Sequence, residues 1–135
     1  MLDNIPFGMF FDYIKTFFKL YCLLYQLYVI ELRKSVFSEN RKFRDANPQF
    51  NGVVECLYVG MTSKSPKDRF EQHKRRVLSQ KGQDISSQIV FKYGIFLRPS
   101  LYQHLPTYRN RNEALDAEKK LALELRRQRY AVWVN

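Results

Sequence analysis

Cysteine, glycine and proline are scarce in this chain: two, five and five of its 135 residues. The cysteines, Cys22 and Cys56, lie far apart, with no CxxC pair and no histidine at ligand spacing. That arrangement excludes a finger-type zinc site and a disulfide framework. Both stand in apolar runs, which predicts buried, reduced thiols. Nothing in this usage requires an oxidising compartment, so a cytoplasmic location is expected. His104 has no partner at ligand spacing and reads as a loop residue. Long uncharged apolar runs are missing too. Phe7 to Tyr25 is dense in Phe, Tyr and Leu, yet Asp12, Lys15 and Lys19 break it at spacings of three and four. A spanning helix needs about 20 mostly apolar residues. No small-residue cleavage site follows a basic head, so neither a membrane span nor a signal peptide is expected. Charges at that spacing line one stripe of a helix. Residues 1–24 therefore read as an amphipathic helix with a broad aromatic face. Such a face packs on the domain or on a second copy, as in a homodimer. Binding at a membrane surface is the alternative.

What is present fits one folded domain. The length supports a single core but not two. Apolar residues make up 45% and charged residues 27% of the chain, a globular balance. Twenty-three Lys and Arg face 13 acids, for a net charge of +10. That excess favours polyanions, nucleic acid first and anionic membrane second.

Along the chain, Tyr25–Leu32 is rich in β-formers and reads as a strand. Arg33–Gly52 is polar and carries the turn signals Asn47-Pro48 and Asn51-Gly52. It is long for a loop, so it is either mobile or locally helical. Val53–Val59 is a second strand, paired antiparallel with the first. Ser65, Pro66 and Asp68 mark a helix start that runs to about Leu78. Gly82 breaks it. Ile85–Tyr93 reads as a short helix stopped by Gly94. Ile95–Leu105 is extended, and Pro99 suits an edge strand. Asn110 with Glu113 forms a capping pattern for a helix to about Gln128, and Tyr130–Val134 closes the chain as a strand. The expected class is α+β: a small, mainly antiparallel sheet flanked by helices, plus the N-terminal helix.

Three groups of residues suggest chemistry. On the last helix Ala114, Leu121 and Leu125 share a face, and Glu118 stands in the middle of it. A carboxylate in an apolar stripe is costly without a cation or a metal. A helix-edge Glu paired with a nearby Arg or Lys is the plain alternative. On the preceding helix Arg69, His73 and Arg76 share a face, with Phe70 and Val77 as apolar contacts. Lys64, Lys67, Lys74 and Arg75 extend the positive field. Arg supplies bidentate phosphate contacts and Lys diffuse attraction; a solvated basic helix reads the same way. Tyr28 and Tyr58 lie on neighbouring strands, where tyrosines are usually packing residues.

Taken in order, Gln26-Leu27-Tyr28, Tyr58-Val59-Gly60, Arg69, His73 and Glu118 resemble the GIY-YIG nuclease superfamily. The similar region spans Tyr25 to Asn135. The block from Tyr93-Gly94 to Leu101 and the tail Tyr130-Ala131-Val132-Trp133 also resemble small bacterial members. The resemblance implies a DNA endonuclease that hydrolyses phosphodiester bonds with one divalent metal, Mg²⁺ or Mn²⁺. It implies that Tyr28 takes the proton of the attacking water and that Tyr58 positions water or phosphate. Arg69 would steady the phosphate charge, His73 support the nucleophile or phosphate, and Glu118 bind the metal. Gly60 would leave room for close approach at the strand end. Lys64, Lys67, Lys74, Arg75 and Arg76 would contact nucleic acid. A nucleic-acid-binding module of the same fold with weak or no turnover is the alternative. The chain departs from the family pattern in four places. Gln26 stands where the family name has Gly, and the link between the tyrosine motifs is longer than a short hairpin. Ala131 stands where many members carry Asn, with Asn135 too late to replace it. Met61 stands where some members are basic, with Lys64 as a substitute.

Overall fold

The strand Gln26–Leu32 (β1) organises the domain in a computed structural model that describes residues 23–76 and 87–134. Successive side chains of a strand point to opposite faces, and Leu27, Tyr28, Val29 and Ile30 are all at most 3% exposed. Both faces of β1 are therefore covered. Around it stand two short helices, Ser35–Glu39 (α1) and Arg41–Asp45 (α2), then strand Cys56–Thr62 (β2) and helix Pro66–Arg75 (α3). Helix Gln88–Tyr93 (α4), strand Gly94–Leu97 (β3), a 3₁₀ turn Pro99–Leu101, helix Arg111–Arg127 (α5) and strand Ala131–Val134 (β4) complete it. The four-stranded sheet runs β3-β1-β2-β4. β1 pairs antiparallel with β2 and with β3, whereas β2 and β4 run parallel. The class is α+β with a mixed sheet. The parallel pair follows from the long crossover through α3, α4, β3 and α5, since parallel neighbours cannot be joined by a hairpin. α5 packs on β4, β2 and β1, and α3 and α4 pack on β1 and β3.

Several boundaries differ from the sequence expectation, each for a local reason. β2 starts at Cys56, and Val53 is 75% exposed. Lys34 Nζ donates to the carbonyls of Gly52 and Val53, and the Val53 N–H donates to Asn51 Oδ1. Those bonds hold the segment in a turn, with Gly52 at φ +82°, and keep it out of the ladder. The 33–52 link is locally helical. Val36 and Phe43, both 0% exposed, anchor α1 and α2, and Asn40 caps α2 through Phe43 N. The run after Gly94 stays extended only to Leu97. Pro99 opens the 3₁₀ turn instead of sitting in an edge strand. At α3, Ser65 accepts from Asp68 N and Pro66 takes the first helical position, as expected. α3 ends at Arg75, with Arg76 at φ +52°. Asn110 caps α5 through Asn112 N rather than in a reciprocal pair with Glu113. The proposed helix over 1–24, Cys22, Val77, Gly82 and Asn135 fall, wholly or for the most part, outside the described residues. Among the described residues no helix is long and apolar enough to cross a membrane.

Two polar devices close the sheet. Asn47 is 0% exposed and works as a neighbouring strand for β4. Its Oδ1 accepts from Val132 N (2.7 Å) and Arg126 Nε (3.2 Å), and its Nδ2 donates to the carbonyls of Val132 and Phe43. On β1, Glu31 pairs with Arg98 at 2.6 Å, and Glu55 lies 3.5 Å from the same guanidinium nitrogen. Cys56 is fully buried, and burial pushes its thiol up to about 11, so it is unreactive at neutral pH.

Candidate active site

Antiparallel register sets Tyr28 of β1 directly opposite Gly60 of β2. The Tyr28 ring lies over that glycine. A Cβ at position 60 would stand 2.6 Å from both Cζ and Oη of Tyr28, closer than real Cβ contacts come. Gly60 therefore makes room for the tyrosine itself rather than for a ligand at the strand end. Tyr58 shares the sheet face, its ring centroid 6.1 Å from that of Tyr28. Both phenols are at most 2% exposed.

His73 comes to the pair from α3 and is 0% exposed. Its Nε2 lies 2.8 Å from Tyr28 Oη, and its Nδ1 lies 2.8 Å from the Ser87 amide nitrogen. The amide can only donate, so Nδ1 carries no proton. A neutral imidazole then holds its proton on Nε2 and donates it to Tyr28 Oη. The sequence expectation set His73 on one helix face with Arg69 and Arg76. The fold instead turns it into the core, where its Nε2 faces the Tyr28 hydroxyl.

Electrostatics link the remaining residues to the same place. Burial raises Tyr28 well above the usual tyrosine value, and the neighbouring Tyr58 adds to this. Arg69 opposes it by charge and hydrogen bonding. Burial also raises Tyr58. The Tyr28 hydroxyl, Arg69 and Ser87 oppose the rise, while the Glu118 carboxylate adds to it. Glu118 is 4% exposed among Ala114, Ala122 and Leu125, which are at most 2% exposed. Burial pushes its carboxyl up to about 7 against the opposing charges of Lys119 and Arg111. The sequence-read apolar stripe around this acid is thus present.

A cleft of about 270 Å³ is lined by Lys64, Arg69 and Arg111 with Tyr25, Thr62, Ser63 and Gln72 among others. Of the cluster residues only Arg69 reaches it; Tyr28, Tyr58, His73 and Glu118 do not line it. Arg69 Nη1 donates to Gln72 Oε1 at 3.1 Å. Of the predicted nucleic-acid contacts, Lys64 lines this cleft and Lys67 is exposed on the first turn of α3. Lys74 is instead a tie between elements, its Nζ donating to the carbonyls of Phe91 and Gly94. Arg75 lies 3.9 Å from Glu71, and the Arg76 guanidinium stands 4.8 Å over the Phe91 ring. Those three mark the far end of α3. Met61 also lines the cleft, and Ala131 is fully buried opposite Cys56. His104 is an exposed turn residue, as expected.

Sequence reasoning missed Ser87 and Arg111. Ser87 is the N-cap of α4, a role its sequence position suggests, but its bond to a histidine fourteen residues earlier is tertiary. Arg111 stands seven residues before Glu118, a spacing that puts both on one helix face. That signal was available.

Glu118 suits a hard divalent cation: an oxygen donor held in a dry setting, at a carboxyl whose proton a metal displaces. Mg²⁺ usually takes one or two carboxylates with substrate oxygens and waters. Among the described residues no three His, Cys, Asp or Glu side chains form a cluster, so Glu118 would need substrate oxygens and waters to complete a metal's shell. No protein-family model matches the chain, nor does any curated protein or any solved structure.

Proposed function

We propose that this chain is a metal-dependent DNA endonuclease of the GIY-YIG type, hydrolysing phosphodiester bonds. The observation that carries the reading is the buried cluster Tyr28–His73–Tyr58, coupled to Arg69 on one side and Glu118 on the other. A carboxyl buried near two phenols, with the half-buried Arg69 acting on both, is a costly arrangement that catalytic use explains.

The roles follow from the chemistry. The tyrosine pair receives the proton of the attacking water, at Tyr28 as the resemblance assigns. Tyr28 must first ionise, which burial resists, so charge brought by the bound complex lowers it. The His73 Nε2–H and Arg69 then stabilise the phenolate. Ser87 fixes the imidazole tautomer that does this. Arg69 also carries charge on the phosphorane-like transition state. Glu118 would hold a Mg²⁺ or Mn²⁺ ion, whose chemistry there is Lewis-acid stabilisation of the phosphate and leaving oxygen.

Glu118→Ala tests the reading. Magnesium-dependent nicking of a panel of single-stranded, duplex and branched DNA should disappear, while DNA affinity stays within about threefold of wild type. Wild-type protein that binds DNA but cuts no member of the panel with Mg²⁺ or Mn²⁺ would leave a binding module of the same fold. The strong rise of Tyr28 is the observation that favours that second reading.

A further inference from the structure

We propose that Arg111, together with Lys64 and Arg69, forms a subsite for a second phosphate of the nucleic-acid strand, next to the one presented to Tyr28 and Glu118. This rests on the reading that the site takes a phosphodiester strand. The three cations come from three elements: the loop after β2, helix α3 and the first turn of α5. They meet only in the folded chain. No acidic residue is among the described residues that line their cleft. Three cations lining one hollow give it a positive potential that attracts an anion.

The cleft is also prepared. Gln26 Nε2 donates to the Lys64 carbonyl at 3.2 Å, and the Lys64 N–H donates to Thr62 Oγ1 at 3.0 Å. The backbone that carries Lys64 is thereby held from two sides. Gln26 thus has a use at the place where the family pattern has glycine. Arg111 and Glu118 share a face of α5, about 10 Å apart along the axis, and the charge of Arg111 is felt at Glu118. Arg69 belongs to both places, acting on Tyr28 and lining the cleft. On this proposal Arg69 is the bridge between the two phosphates, since it alone belongs to both places. Two guanidinium forks, an ammonium and the Thr62 and Ser63 hydroxyls match the several acceptor oxygens of a phosphodiester.

The test is binding of a fluorescein-labelled single-stranded oligonucleotide, read by anisotropy in EDTA between 50 and 200 mM salt. Arg111→Gln and the loop variant Lys64→Gln should each weaken binding about tenfold at the low end and reduce the slope of log K against log salt by about one. Arg127→Gln removes the same charge from the opposite end of α5 and should leave the slope within half a unit of wild type. Circular dichroism confirms folding, and Lys64→Gln decides the matter if Arg111→Gln misfolds. Unchanged affinity and slope in both cleft variants overturns the proposal. So does an equal loss in Arg127→Gln, which would mark diffuse attraction to a basic chain, and so does wild-type protein that binds no strand. Because binding is read without metal, a protein that binds but never cleaves sinks the nuclease reading while the slopes still decide this one.

Discussion

Glu118 couples its own protonation to the stability of the fold. Its folded value, about 7, lies above the ordinary 4.5. Between those values the folded chain holds a proton that the unfolded chain has released. Stability from this group is therefore greatest below pH 4.5, declines as pH rises to 7 and is level above. Glu118→Gln removes the decline. Urea denaturation should find the variant more stable than wild type at pH 8 by up to about 3 kcal/mol, with the difference shrinking toward pH 5. Equal midpoints at pH 8 would show that the carboxylate is compensated. At Gly60 the constraint is steric. Gly60→Ala drives a methyl group into the Tyr28 ring, and either the ring or the strand must move. A loss of about 2 kcal/mol of stability is expected, with cleavage falling at least about a hundredfold as Tyr28 leaves His73. Full activity in that variant would separate Tyr28 placement from turnover. That Tyr28 and Tyr58 are neighbours and that Glu118 stands in an apolar stripe were legible, because strand and helix spacing carry both. The burial of His73 was not, because a helix face reads the same whether it meets water or a strand.

At the scale of elements, the edge strand β4 depends on one side chain. Asn47 supplies Val132 with both a donor and an acceptor and also engages Arg126. Asn47→Ala leaves those buried groups unpaired. The expected loss is about 2–4 kcal/mol, measured as a shift in denaturation midpoint. A loss below about 0.5 kcal/mol would mean that water takes over its bonds. In the sequence Asn47 precedes a proline and reads only as a turn residue. Its role depends on Val132, 85 residues later, a distance no local pattern spans. The start of α3 was legible to the residue because its cap is written in adjacent positions, Ser65, Pro66 and Asp68. The start of β2 was not, because Lys34 pulls Gly52 and Val53 out of the ladder from a distant part of the chain.

The whole molecule carries a net charge of +10, and that charge acts in opposite senses on folding and on binding. Self-repulsion is screened by salt, so the unfolding temperature should rise between 20 and 200 mM NaCl. DNA affinity should fall steeply over the same range as counterion release loses its advantage. A thermal melt series beside a binding series checks both, and an unfolding temperature that falls with salt would point to attractive pairs such as Glu31–Arg98 outweighing the repulsion. Composition and local pattern by themselves determined the α+β class, the helix caps, the net charge of +10 and the apolar surround of Glu118. Each is set by residues within a few positions of one another, or by a sum over all of them. Tertiary structure alone decided that β4 runs parallel beside β2, that His73 donates to Tyr28, and that Lys64, Arg69 and Arg111 share one cleft. Those facts join residues tens of positions apart, and only chain closure in three dimensions fixes which of them meet.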